Sequence, residues 1–245
     1  MNLSNILVMC APNGSMPNDT HQSLQKLQAA RAVIQDGGAQ TDVTLTRCIQ
    51  AATALKVLKD KPEIEWIFWL DHDMVCEPSA IESLVEWSIL LDYPSLSGVY
   101  VNRHNRQPGV AAYKLHNQSV INLQGRKFIP ALTGMGCFLQ HRDTFIAHCN
   151  ESKQFHYPIY GNILPAVCES RLATWIEYAS YLNMYEDKTA LYWIAEDFSY
   201  TLREIKAGRK VFVAPVAFGH VASTILWPDK NTVFPGLVNG ENSEL

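Results

Sequence analysis

The sequence predicts an α/β fold built on a largely parallel, doubly wound sheet, and three observations predict it. Apolar runs of strand length alternate with amphipathic stretches over about the first hundred residues, the signature of strand–helix–strand units. One of those runs, Trp66-Ile67-Phe68-Trp69-Leu70, is apolar at every position, as expected of a strand covered on both faces. A chain of 245 residues that is 47% hydrophobic is long enough to bury one large core.

The elements follow in order. Asn5 to Ala11 reads as a first buried strand, broken by the turn signal Pro12-Asn13-Gly14. A polar segment from Ser15 leads into a helix around Ser23 to Ile34, with Leu24, Leu27, Ala30 and Val33 on one face, ended by Gly37-Gly38. Thr41 to Leu45 reads as a second strand and Arg47 to Leu58 as a second helix. Trp66 to Leu70 is the third strand, and the helix from Ser79 to Leu91 places Ile81, Leu84, Val85 and Ile89 on one side. Leu96 to Val101 is a fourth strand. Short strands are then expected near Val110 to Leu115, Ser119 to Leu123, Lys127 to Leu132 and Cys137 to Gln140, a mixed or antiparallel extension of the sheet. Residues 150–190 are rich in aromatics (Tyr157, Tyr160, Trp175, Tyr178, Tyr181, Tyr185, with Tyr192 and Trp193 beyond) and read as an insertion or lid. A last helix over about Asp197 to Ala207 points Phe198, Leu202 and Ile205 inward, Gly208 caps it, and Val211 to Val216 is a final strand. No repeat, low-complexity tract or separating linker is visible, so the chain reads as a single domain over residues 1–245.

Composition narrows the function classes. A net charge of -4 argues against a broad nucleic-acid footprint; Arg103, His104 and Arg106, like Arg203, Lys206, Arg209 and Lys210, form only local basic clusters. No run approaches the roughly 18 to 20 apolar residues that span a bilayer, and the N-terminal residues lack the charge and length of a secretory signal. Six scattered cysteines with no C-x-x-C pair indicate neither a disulfide framework nor a zinc site. The expectation is a soluble protein of a reducing compartment, the cytoplasm (that of a host cell for a viral chain).

The chemistry-bearing residues gather at strand ends. Asp71-His72-Asp73 follows the aromatic third strand, and open α/β sheets bind ligands at that edge. Hard cations such as Mg2+ or Mn2+ take carboxylate oxygens while substrate phosphates complete the shell, so paired acids there suit a metal-dependent enzyme acting on a nucleotide diphosphate compound. The bland alternative is that these acids cap the next helix. Glu196-Asp197 opens the last helix, where acids are favoured by its dipole but where a carboxylate could also serve as a general base. His220 lies just past the last strand, Arg47 near the start of the second helix, and Gly134-Met135-Gly136 permits close approach of backbone to a ligand. That last segment lacks the third glycine and the following helix of a dinucleotide fingerprint.

Together these pieces resemble the GT-A fold, an α/β/α sandwich with a mostly parallel, Rossmann-like central sheet and a mixed C-terminal extension, and in particular the family 2-like nucleotide-sugar glycosyltransferases. The resemblance runs from about Asn5 to His220 and rests on Ala11-Pro12, Thr46-Arg47, Trp69-Leu70-Asp71-His72-Asp73 (similar to the "DxD" motif), Gly98-Val99-Tyr100, Gly134-Met135-Gly136-Cys137-Phe138-Leu139, Glu196-Asp197 with Ala207 to Val211 behind it, and Gly219-His220. Cys48 stands where many relatives carry Asn.

The resemblance implies a nucleotide-binding half over residues 1–105 and an acceptor half over 106–225. It implies Mn2+ or Mg2+ held by Asp73 and His220, with Asp71 on the ribose or sharing the metal, and Ala11, Pro12, Arg47, His72, Gly134 and Gly136 around the donor. Asp197 would take the proton from the acceptor hydroxyl, giving inversion, with Glu196 orienting acceptor or metal shell. UDP-sugars are the commonest donors so implied, GDP-sugars next; the acceptor is left open among glycan, protein, small molecule and hydroxylated DNA base. Three alternatives compete. A phosphatase of the haloacid-dehalogenase type would use Asp71 as nucleophile, but its motif normally follows the first strand. A nucleotidyltransferase normally has a glycine-rich basic loop after that strand, and Pro12-Asn13-Gly14-Ser15 has one Gly and no nearby Lys or Arg. A non-catalytic nucleotide-sugar binder would have no need of Asp197 and His220.

Overall fold

A computed structural model of the chain describes residues 2–11, 16–36, 42–100, 112–115, 118–157, 162–174, 191–221 and 225–226. Its elements, in chain order, are β1 (Ile6–Ala11), α1 (Asn18–Ala29), β2 (Val33–Asp36), α2 (Val43–Asp60), β3 (Trp66–Asp71), β4 (Met74–Val75), α3 (Pro78–Leu90) and β5 (Ser95–Val99). There follow β6 (Ala112–Lys114), β7 (Ile121–Leu123), β8 (Arg126–Thr133), β9 (Cys137–His141), α4 (Arg142–Glu151), β10 (Gln154–Tyr157) and β11 (Asn162–Pro165). The chain continues through β12 (Arg171–Thr174), β13 (Leu191–Ile194), α5 (Glu196–Lys206), β14 (Val211–Ala217), β15 (Gly219–Val221) and β16 (Ile225–Leu226).

The main sheet has the order β2-β1-β3-β9-β5-β14-β8-β6, with β7 also on β8. β1, β2 and β3 are parallel, as are β5 and β14. Between these two parallel blocks β9 runs antiparallel to both neighbours. The mixed character expected at the C-terminal end therefore reaches the centre of the sheet. The result is a mixed α/β sheet flanked by helices, consistent with a GT-A-like fold.

The apolar run of β3 explains the layering. A strand alternates its side chains between faces: Ile67 and Trp69 enter one core cluster with Ala51, Phe145 and Tyr200, whereas Trp66, Phe68 and Leu70 enter the other with Leu27, Ile81 and Phe218. Helices α2, α4 and α5 supply the first layer, α1 and α3 the second. Gly98 on β5 is where the second layer closes most tightly. A Cβ there would lie 2.1 Å from Phe218 Cδ2 and 3.0 Å from Val216 O, and the Phe218 ring is fully buried against Phe68. Gly98→Ala should destabilise the protein by about 2 kcal/mol through overpacking, a fall in Tm of roughly 4–8 °C in a thermal melt; an unchanged Tm would show that Phe218 has room to move.

Two expectations are corrected. The first helix is α1 at Asn18–Ala29, not Ser23 to Ile34, because Arg31 turns the chain with φ 71 and Val33-Ile34 then pair with β1. The expected strand Thr41 to Leu45 is not one. The second strand is β2, Val33–Asp36, while Val43 and Leu45 open α2, capped by Asp42, whose Oδ1 accepts the Leu45 N–H at 2.9 Å. Local capping chemistry outweighed a short β-branched run. Helix α4 had no sequence forecast, since only Phe145, His148 and Cys149 of its ten residues turn inward.

In the aromatic-rich stretch, β10 pairs β11 and β12 pairs β13, both antiparallel. Tyr157 packs against the first core cluster. Tyr160, Trp175, Tyr178, Tyr181 and Tyr185 lie outside the described residues, as do the side chains of Tyr192 and Trp193, the turn Pro12 to Ser15, Gly37-Gly38 and the cluster Arg103, His104, Arg106. Among the described residues no helix is long and apolar enough to cross a membrane.

Candidate functional site

The site is built at the carboxyl end of β3. Ala11, the last residue of β1, is in register with Asp71. Asp71 ends β3, and its backbone N–H donates to Gly136 O at 3.0 Å. That bond exists because β8 and β9 do not form a hairpin. The chain leaves β8 at Thr133, passes through Gly134-Met135-Gly136, and inserts β9 between β3 and β5. Gly136 thereby lands against the carboxylate. A Cβ at Gly136 would stand 3.3 Å from Asp71 Oδ2 and 3.1 Å from the Tyr100 ring, so any side chain there would crowd both.

Arg47, on the second turn of α2 and 95% buried, donates from Nη2 to Asp71 Oδ1 and from Nη1 to Gln50 Oε1 at 3.3 Å, with its guanidinium 5.9 Å from the Trp69 ring. Burial disfavours its charge, and Asp71 and Glu196 more than offset that, so its pKa is raised. Arg47 Nε, Gln50 Nε2 and Trp69 Nε1 are buried N–H groups with no acceptor among the described residues. Buried donors without partners are costly, and here they stand around the arginine expected to meet an anion.

Glu196 and Asp197 open α5, which is pinned to the same spot because Thr201 Oγ1 donates to Thr133 O at 2.9 Å. Asp197 is half-buried and accepts the Phe198 N–H at 2.7 Å. Burial, then the like charges of Glu196 and Asp71, push its pKa up to about 7, against the pull of the Phe198 N–H and Arg47. Tyr100, just past β5, is the residue the sequence reading left out of the site. Its hydroxyl accepts the Gly136 N–H at 3.3 Å, and burial followed by Asp197 and Asp71 pushes its pKa well above the ordinary phenol value. Being 95% buried yet beside two carboxylates, Asp197 and Asp71, is the signal, and only the fold carries it.

The second aspartate is placed by a small separate sheet. After the tight turn at His72-Asp73, β4 pairs β15, with His220 opposite Met74, and Val221 N–H donates to Asp73 O at 2.7 Å. This sets His220 Nε2 3.4 Å from Asp73 Oδ2. These are the nitrogen and the oxygen that would hold the expected metal, and they are chemically suited as ligands to a divalent cation. His72 is half-buried between the two aspartates. Among the described residues no group of three His, Cys, Asp or Glu side chains suits a metal ion. Asp71 pairs with Arg47 while Asp73 pairs with His220, and the Tyr100 ring, 6.0 Å from that of His220, lies between the two pairs.

Behind α5 a buried polar network fixes the helix that carries Glu196 and Asp197. Glu204 is fully buried. Its carboxylate meets His148 Nδ1 at 2.5 Å, accepts Gln140 Nε2 at 2.9 Å, and accepts Arg209 Nε at 3.0 Å. Tyr200 donates to Gln140 Oε1 at 2.6 Å and stacks on His148, whose other nitrogen faces Val167 O at 2.8 Å.

The chain is similar in fold to the crystal structure of A197 from STIV, with a TM-score of 0.51 and 14% identity, covering 95% of this chain and 97% of that one. A crystal structure of a glycosyltransferase involved in the glycosylation of the major capsid of PBCV-1 matches 58% of this chain and 62% of that one at 12% identity, with a TM-score of 0.34, too low to carry an argument. No family model matches, and no curated protein matches.

Proposed function

We propose that the chain is a divalent-metal-dependent glycosyltransferase that moves a sugar from a nucleotide-sugar, with UDP the first donor nucleotide to try, to an acceptor hydroxyl with inversion. The observation that supports it most is the convergence of Asp71 with Arg47, Asp73 with His220, and Glu196-Asp197 at one sheet edge. Arg47 and the turn after Ala11 bind the nucleotide, with Asp71 holding Arg47 in place and facing the ribose. Asp73 and His220 hold Mn2+ or Mg2+, which when bound supplies Lewis-acid stabilisation of the departing diphosphate.

Asp197 removes the proton from the acceptor hydroxyl. A pKa of about 7 matches that role, since a base poised near the working pH combines availability with driving force. Glu196 keeps that pKa high by its charge and orients the acceptor. Tyr100 takes the Gly136 N–H and retains its own proton to donate to a ligand oxygen, because no described acceptor takes it. Glycan, protein, small molecule and hydroxylated DNA base all offer the acceptor hydroxyl this base needs.

The test begins from the donor. Melting the protein with UDP, UDP-sugars and GDP-sugars in the presence of Mn2+ should give a stabilisation that grows with donor concentration, because a ligand bound only by the folded state stabilises it. Asp73→Asn should remove the Mn2+-dependent part of that stabilisation and cut donor hydrolysis by at least about 100-fold, with circular dichroism unchanged. Full metal-dependent donor binding in Asp73→Asn would sink the metal assignment, and no nucleotide-dependent stabilisation in the wild type would sink the reading itself.

A further inference from the structure

Cys48 and Cys168 are 120 residues apart in the chain, yet the fold joins them. The segment through Val167 to Ser170 lies along the first turn of α2: Cys168 Sγ sits 3.9 Å from Thr44 O, and Ser170 Oγ is 3.2 Å from Thr44 Oγ1. Cys48 is one helical turn beyond Thr44, on the same stretch of α2 that Cys168 Sγ touches. Both sulfurs also line one cavity of about 270 Å³ with Asp42, Leu45 and Phe155, which gives a small molecule a route to thiols otherwise buried. All six cysteines are free in this structure.

We infer that Cys48 and Cys168 are a redox pair that closes into a disulfide, stapling α2, next to Arg47, to the segment that leads into β12. A disulfide needs the sulfurs about 2 Å apart, and two cysteines on the wall of one cavity can close that gap by side-chain rotation. The environment separates the two partners' roles. The Cys168 thiol, the N–H groups of Val167 and Cys168, and Arg203 hold the Cys48 thiol below its ordinary pKa in spite of burial. The contact with Cys48 and burial raise Cys168, and burial pushes Cys76 and Cys149 up to about 12 and Cys137 well above its usual value.

Cys48 is therefore the attacking sulfur. With hydrogen peroxide as oxidant, the Cys48 thiolate attacks one oxygen, the O–O bond breaks, and hydroxide leaves to take up a proton as water. The resulting sulfenic acid is attacked by Cys168; the S–S bond forms, the S–O bond breaks, and a second water departs. Two thiols thus give two electrons and two hydrogens to one peroxide, yielding one disulfide and two waters. Thiol reductants reverse the step by exchange.

The experiment uses the full chain with all its cysteines. After treatment with a small excess of hydrogen peroxide, thiol titration in denaturant should show two of the six thiols lost, and peptide mapping without reductant should yield a Cys48–Cys168 linked pair. Dithiothreitol should restore all six. Closing so long a loop should raise the Tm of the oxidised protein on the order of 5 °C, an increase absent in Cys168→Ser. Six thiols surviving peroxide, Cys48 advancing to sulfinic acid without a linked peptide, a link between other cysteines, or an oxidised protein that melts no higher would each overturn the inference. Mapping of the wild type decides the matter even if Cys168→Ser does not fold. The outcome is independent of whether the chain transfers sugars.

Discussion

Asp197→Asn should leave the protein more stable than the wild type at pH 8 and nearly inactive. The carboxyl has its pKa raised to about 7, first by burial and then by Glu196 and Asp71, whereas an unfolded chain would titrate it near its ordinary value of roughly 4. The folded state binds the proton more tightly than the unfolded state does. Its favourable contribution is therefore complete below about pH 4, is lost as pH rises through about 7, and leaves a constant penalty above that. Asn is neutral throughout, and its amide oxygen can still accept the Phe198 N–H. The gain at pH 8 should be about 1–3 kcal/mol, below the full value of the shift because the carboxyl is only half-buried, or roughly 3–8 °C in Tm. It should shrink toward zero by pH 4.

The same substitution should lower kcat/KM for transfer by about 100- to 10,000-fold while donor binding survives, as expected when a general base is removed. In the wild type, kcat/KM should rise with pH through an inflection near 7 and level off above it, since only the deprotonated carboxylate accepts a proton. A variant that melts no higher at pH 8 would show that Asp197 is not strained, and one that transfers normally would show that it is not the base.

Glu204→Ala should be the most damaging single change to stability. It would strand His148 Nδ1 and Gln140 Nε2 as buried donors around an empty space and take one acceptor from the half-buried Arg209. Removing one member of a buried charged network typically costs about 3–5 kcal/mol, a large part of the roughly 5–15 kcal/mol that holds a domain folded. Chemical denaturation should show that loss, with Tm falling by roughly 10 °C or more. Glu204→Gln keeps one acceptor oxygen and should lose less. Activity should fall with stability in both, because Tyr200 and Glu204 fix the buried face of α5 whose first turn carries Asp197. A loss under about 1 kcal/mol for Glu204→Ala would mean the network contributes no cohesion.

Much of the fold was legible along the chain because its signals are local. Trp66 to Leu70 has no polar position, and a run like that fits few places other than the middle of a covered sheet. The last helix was readable from Phe198, Leu202 and Ile205 at helical spacing, and Gly208 ends it with φ 78. What misled the reading was also local: Thr41 to Leu45 looks extended, but Asp42 satisfies the Leu45 N–H and nucleates α2 instead. Helix α4 escaped because much of its inward surface is His148, which is buried by its bonds to Glu204 and Val167 rather than by hydrophobicity.

The sequence by itself determined the alternation of strands and helices and the presence of acids at Asp71, Asp73, Glu196 and Asp197 near element ends. Residue type and periodicity act over a few positions, so one chain segment is enough to read them. Only the tertiary structure decided who faces whom. The crossover at Gly134 to Gly136 carries β9 into the centre of the sheet and sets glycine against Asp71. The pairing of β4 with β15 divides the carboxylates, joining Asp73 to His220 while Arg47 keeps Asp71. The burial that lifts Asp197 to about 7 and brings Tyr100 beside it comes from layers contributed by distant segments. Desolvation and charge proximity depend on separation in space, which the order of residues along the chain does not express.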